Sequence, residues 1–159
     1  MKQIVIAALA LAAVAAAPAY SKDFIFVHNG QSDLRFIDRA SITRVDATTM
    51  SAWYVVIFED AAVVDNVKQS QAQFHVRCDS KQWAVKAGNT FDHAGKSLET
   101  VSVADSDLTF APAAPDTVIG RVADYVCGTR PVDPADVYAA DDAWHLQSAY
   151  DRLKATPAP

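Results

Sequence analysis

Gln69-Ser70-Gln71-Ala72-Gln73-Phe74-His75-Val76-Arg77-Cys78 is the stretch on which the reading of the fold turns. Successive side chains of a strand point to opposite faces, so Ala72, Phe74, Val76 and Cys78 share one side and Gln71, Gln73, His75 and Arg77 the other. Alternation this clean belongs to an antiparallel strand with one face on a core and one in water. Cys78 then points inward at the end of the strand.

Similar segments lie on both sides of it. Residues 24–28 (FIFVH) form an aromatic, β-branched run closed by the turn pair Asn29-Gly30. In residues 34–38 (LRFID), Leu34, Phe36 and Asp38 alternate with Arg35 and Ile37. Residues 41–45 follow a bend, and Asp46-Ala47 suits a tight turn. Residues 49–58 (TMSAWYVVIF) are apolar on both sides, with Trp53, Val55 and Ile57 opposite Tyr54, Val56 and Phe58, which marks a central strand covered at least in part on each face. Residues 59–66 read as a loop. Downstream, residues 83–87 start another strand, Phe91-Asp92-His93-Ala94-Gly95 reads as a hairpin loop, and residues 97–103 return. The expectation is one antiparallel sheet of about six strands.

The character changes at Pro112-Ala113-Ala114-Pro115. Val118, Ile119, Val122 and Val126 fall on one helical stripe, with Gly128 where a C-terminal cap belongs and Cys127 in the last turn. Asp133-Pro134-Ala135-Asp136 announces a second helix, an acidic N-cap before a proline. Its weaker stripe of Val137, Trp144, Leu146, Tyr150 and Leu153 predicts one helix, or two broken near Asp141-Asp142. The class expected is α+β, a single antiparallel sheet covered by a helix.

The N-terminus bears on the compartment. Met1-Lys2-Gln3 precedes fourteen uninterrupted apolar residues, Ile4 to Ala17. A bilayer span needs roughly 20 such residues, whereas this length suits a secretory signal. Ala17-Pro18-Ala19 offers a small-x-small cleavage site, so residues 1–19 read as a signal peptide removed after Ala19. The first cysteine is Cys78, so no lipid-attachment cysteine stands at that site and no membrane anchor is expected. Losing residues 1–19 removes one charge, Lys2, and leaves 13 basic against 19 acidic residues, net −6. That balance argues against nucleic acid as a partner, since its recognition needs clustered Lys and Arg. The two cysteines, both retained after export, are expected to pair in an oxidising compartment. Two free thiols or an intermolecular bridge are the alternatives. A Cys78–Cys127 bond would staple the helix to the end of the strand.

No spacing points to catalysis, a metal or a cofactor. His28, His75, His93 and His145 are scattered, and His75 and Cys78 lie on opposite strand faces. Asp60, Asp65, Asp105, Asp107, Asp141 and Asp142 fall in loops and helix ends, where solvation or capping accounts for them. Ser41 and Ser70 lack a nucleophile-elbow pattern, and no glycine-rich phosphate loop is present. Trp53, Tyr54, Trp83 and Phe91 are large enough to anchor an interface, although filling the core is the plainer use.

Phe36-Ile37-Asp38 with Ser41-Ile42, then Trp53, Arg77-Cys78-Asp79, Phe91-Asp92 with Gly95, and Tyr125-Val126-Cys127 together resemble the surface-adhesin protein E family of small exported bacterial proteins. The resemblance runs from about Phe24 to Gly128 and implies a sheet with a disulfide-tethered helix. It departs at Phe110-Ala111-Pro112-Ala113-Ala114-Pro115, where relatives often have Trp followed by Pro-Gly-Ser, and in having no lipid anchor, which surface-displayed relatives commonly carry. The chain therefore divides into residues 1–19 (signal), 20–128 (sheet and helix) and 129–159 (helical extension and tail). The function expected is that of a periplasmic or secreted, non-enzymatic, adhesin-like module that binds another protein or itself. A structural envelope protein acting by self-association and a small hydrolase assembled only in three dimensions are the alternatives. No binding residue is named by the sequence.

Overall fold

A computed structural model describes residues 21–60, 64–143, 145, 146 and 153. Residues 1–19, read as the export signal, lie outside the described residues, as do Trp144 and Tyr150. Among the described residues, nine strands form one sheet: β1 (Lys22–Asn29), β2 (Asp33–Asp38), β3 (Thr43–Arg44), β4 (Thr49–Phe58), β5 (Gln69–Arg77), β6 (Gln82–Phe91), β7 (Ser97–Ser102), β8 (Ala111–Pro112) and β9 (Val137–Ala140). The order is β7-β6-β5-β4-β2-β1-β9, with β3 on β4 and β8 on β6, and every pairing is antiparallel. The helix α1 (Val118–Val126) lies between β8 and β9 in the chain.

The strand count exceeds the six expected. β3 and β8 are two-residue pairings, too short to show any period in the sequence. The third addition is a correction. Asp133 does cap a turn, accepting a hydrogen bond from the Ala135 N–H, but the turn is a single 3₁₀ turn over Pro134–Asp136. Val137–Ala140 then runs as a strand along the outer edge of β1, from Val137 opposite Ile25 to Ala140 opposite Lys22. An open sheet edge presents unpaired N–H and C=O groups, and pairing with it outweighs the local helical signal. Tyr138 adds its ring to Phe26 and Phe36, with centroids 6.0 Å from each.

The alternation in β4 and β5 sorts the two faces as the sequence implies. Ala52, Tyr54, Phe74 and Val76 point toward α1 and pack with Ile25, Val27, Ile37, Val122 and Val126. Phe24, Leu34, Phe36, Val55 and Ile57 point the other way. The second face is not left to water along its whole width: Leu146 and Leu153, from the C-terminal segment, are buried against it over β1, β2 and β4.

Both ends of α1 are fixed. At its start the Thr117 hydroxyl accepts from the Gly120 N–H and donates to the Ala114 carbonyl. At its end Gly128 adopts φ +70°, a left-handed conformation natural to glycine. The Gly128 N–H then donates to Tyr125 O and the Thr129 N–H to Asp124 O, closing the carbonyls of the last turn. Between these two residues and the helix stands Cys127, bonded to Cys78 just past β5, with Cα atoms 5.6 Å apart. Lys81, in the β5–β6 turn, adds an ion pair to Asp124 at 2.7 Å and a hydrogen bond to the Thr129 hydroxyl.

Two outcomes test this account of the helix. Replacing Cys78 and Cys127 together by alanine opens a tie spanning 49 positions and is expected to cost about 4 kcal/mol, seen as a lower urea midpoint. An unchanged midpoint would show that the bond carries no stability. Gly120→Ala would normally stabilise a helix interior by about 1 kcal/mol, but here the added methyl collides with the backbone carbonyl of Ala114. A lower melting temperature is expected, and a rise would contradict the close approach.

Candidate functional site

On the sheet face away from α1, the strands beyond the cover of Leu146 and Leu153 leave a groove of about 370 Å³. Trp53 and Val55 of β4 and Gln71 of β5 line it, with Phe91, the last residue of β6, and Gly95 on one side. Lys22, Asp38 and Asp142 line it on the other.

Trp53 is placed by a short polar relay. β2 pairs with β4 only as far as Ile37 opposite Tyr54, so beyond that point β4 needs another acceptor. The Trp53 N–H donates to the Ser41 hydroxyl at 2.7 Å, and that hydroxyl donates to the Asp38 carbonyl at 2.6 Å. The Asp38 carboxylate accepts from the Ala40 N–H, which holds the 3₁₀ turn Arg39–Ser41, and from the Lys22 ammonium at 3.5 Å. Asp38 and Ser41 therefore hold both the end of β2 and the wall of the groove.

Of the four aromatics singled out in the sequence, two reach this groove. Trp53 and Phe91 line it, while Tyr54 stacks on Phe74 with centroids 5.0 Å apart and Trp83 tilts onto the same ring at 4.9 Å, both on the helix side. Adjacent positions on a strand face opposite ways, which separates Trp53 from Tyr54. Burial pushes the Tyr54 hydroxyl up to about 12. Lys22, Asp38, Gln71 and Asp142 were not foreseen as neighbours, because they come from four distant segments. Among the described residues lining the groove there is no hydroxyl, thiol or imidazole. With Phe24, which also lines it, the arrangement offers three rings, an amide and three charged groups, which is a surface for recognition.

Asp60 pairs with Lys68 and Asp105 with Lys86, and each ammonium holds its carboxylate below the ordinary range. His145 Nδ1 lies 2.8 Å from Asp142, and His93 Nδ1 3.9 Å from Asp60. Among the described residues, no group of three or more His, Cys, Asp or Glu is placed to hold a metal ion. No helix among them is long and apolar enough to cross a membrane. Gln69, the first residue of β5, is fully buried, and its side-chain amide makes no hydrogen bond among the described residues.

His75 was expected in water but is 8% exposed. Burial holds its imidazole below the usual 6.5, with Asp105 opposing and Lys86 assisting. A histidine of this kind binds its proton more readily when unfolded. Its contribution to stability is therefore present above the unfolded value of about 6.5 and is lost as pH falls through it. The urea midpoint is expected to drop between pH 7 and about pH 5, and His75→Gln should flatten that drop. Asp46, Asp60, Asp105 and Asp124 titrate below 3.8, so the stability they contribute is lost only at lower pH. An equal drop in the variant would assign the effect elsewhere.

A comparison with curated proteins finds no match. Among solved structures, crystal form II of Haemophilus influenzae protein E is similar at 16% identity and TM-score 0.48, covering 67% of this chain and 87% of that one. A second structure of the same protein stands at 16% identity and TM-score 0.47, covering 67% and 84%. The selenomethionine form stands at 15% and 0.43, covering 64% and 90%. A family model described as surface-adhesin protein E matches residues 24–128, about two thirds of the chain and the span from β1 to the cap of α1. The chain belongs to the surface-adhesin protein E family.

Proposed function

We propose that the protein is an exported, non-enzymatic module that binds another protein through the groove containing Trp53 and Phe91. Residues 1–19 direct export and are removed after Ala19. Residues 20–128 form the binding scaffold, and residues 129–159 extend it, closing one edge of the sheet and part of its second face. Membership of a surface-adhesin family supports both the outward location and the binding role. The observation that carries the choice of site is the groove itself, a concave patch in which the Trp53 and Phe91 rings remain partly accessible. Large rings in such positions dominate binding energy, because they exclude water over a wide area at little entropic cost.

The test compares the oxidised chain from residue 20 with a Trp53→Ala/Phe91→Ala variant, both titrated against extracellular matrix proteins and against the exported proteins of the producing cells. Binding at least about tenfold weaker is expected in the variant at an unchanged melting temperature. Equal binding by the variant, or no capture by the parent at any ionic strength, would sink the proposal.

Self-association at a sheet edge is favoured by a separate observation. All six residues of β7 are exposed, Leu98 at 43% and Val101 at 45% among them. Exposed edge strands are templates for pairing between chains. Sedimentation that depends on concentration, and ceases to in Leu98→Lys, would favour that reading over capture of a different protein.

A further inference from the structure

A second cavity, of about 360 Å³, opens where β1 meets the outer side of α1, and Phe26, Val27, Arg121, Tyr125, Arg130 and Asp136 line it. The local backbone explains why a guanidinium stands there. Phe26 pairs with Phe36 and His28 with Arg35, so Val27 is an extra residue with no partner across on β2. A bulge leaves such a residue outside the ladder. Arg121 supplies the missing donor, its Nη1 reaching the Val27 carbonyl at 2.7 Å. A guanidinium has five N–H donors in a fixed fork, and this bond uses one.

The pairing of charges elsewhere sets these arginines apart. Lys22, Arg35, Arg39, Lys68, Lys81 and Lys86 each have a carboxylate within 4 Å. Arg121 and Arg130 have none at that distance among the described residues. Arg44, Arg77 and Lys96 also lack one, but none of them lines this cavity: Arg44 donates to the Ala47 carbonyl and Arg77 lies over the Phe110 ring at 3.7 Å. Arg130 is held beside the ring of Tyr125, with its guanidinium carbon 5.5 Å from the centroid. In a chain with 14 basic and 19 acidic residues, two guanidiniums without an ion-pair partner converge on one cavity. Asp136 is the single carboxylate lining it.

We propose that this cavity binds a small organic oxyanion carrying one negative charge. Arg130 and the remaining donors of Arg121 grip the oxygens, since the planar fork matches carboxylate, sulfate and phosphate geometry. The organic part rests against Phe26, Val27 and the ring of Tyr125. The volume is within the range of small-molecule sites and larger than a bare ion requires. His28 and Asn29 complete the lining; among its permanently charged side chains, two guanidiniums stand against one carboxylate and leave a single positive charge, so Asp136 sets the preference for a monoanion. The site is separate from the groove containing Trp53 and does not depend on what binds there.

The oxidised chain is titrated with benzoate, inorganic sulfate and inorganic phosphate, against chloride at matched ionic strength. Backbone amide shifts near Arg121 and Arg130 and the melting temperature are followed. Saturable binding of benzoate, absent with chloride and tighter than that of the inorganic ions sulfate and phosphate, is expected; sulfate or phosphate binding more tightly than benzoate would overturn the preference for an organic monoanion. Arg130 is exposed, so Arg130→Gln should keep the parental melting temperature without ligand. It should weaken binding at least about tenfold, the loss typical of a charge-assisted hydrogen bond. Asp136→Asn should tighten it. A response that chloride reproduces, an Arg130→Gln variant that titrates like the parent, or weaker binding in Asp136→Asn would overturn the assignment.

Discussion

A helix of nine residues has little stability of its own in water, and the covering of one sheet face rests on keeping α1 in place. The Cys78–Cys127 bond does this at the point where the helix ends and β5 has just ended. It shortens the unfolded chain's freedom over a long loop and sets the last turn of α1 against Phe74 and Val76. The Thr117 cap at the other end and the contact of Gly120 with Ala114 leave the helix one seat on the sheet.

The covering of the opposite face is unequal. Over β1, β2 and β4 the C-terminal segment contributes Leu146 and Leu153 to a cluster of aromatic and aliphatic side chains. Toward β5 and β6 the same face carries Gln71, Gln73 and His75 beside Trp53. The groove marks the border between the two regimes, where apolar cover stops and polar side chains begin. A border of that kind keeps rings accessible without exposing a wide apolar patch.

The residues that carry the family pattern are mostly parts of the scaffold. Phe36 and Ile37 are buried on opposite faces, Asp38 and Ser41 bind the 3₁₀ turn and the Trp53 amide, and the two cysteines are bonded. This is why the family pattern reports the fold more directly than it reports a partner. The two arginines proposed to hold an oxyanion differ in the same way, since Arg121 completes the backbone of a bulge while Arg130 lies exposed beside the Tyr125 ring.

Much of the fold was legible in short windows. The limits of β4 coincide with the sequence reading, and β5 differs only in ending at Arg77. The stripe from Val118 to Val126 and the glycine after it placed α1, and two cysteines allowed a single intramolecular bond. Such features depend on neighbours a few positions apart, and a sequence records those directly. Other features needed the assembled chain. Val137–Ala140 became a strand because β1 had an open edge, and Leu146 and Leu153 found a sheet face to cover. Lys22, Asp38, Trp53, Gln71, Phe91 and Asp142 became one groove from six separate segments. Local periodicity determined which residues form strands and the helix; unpaired backbone edges and uncovered apolar area, which exist only once the sheet has formed, decided the rest.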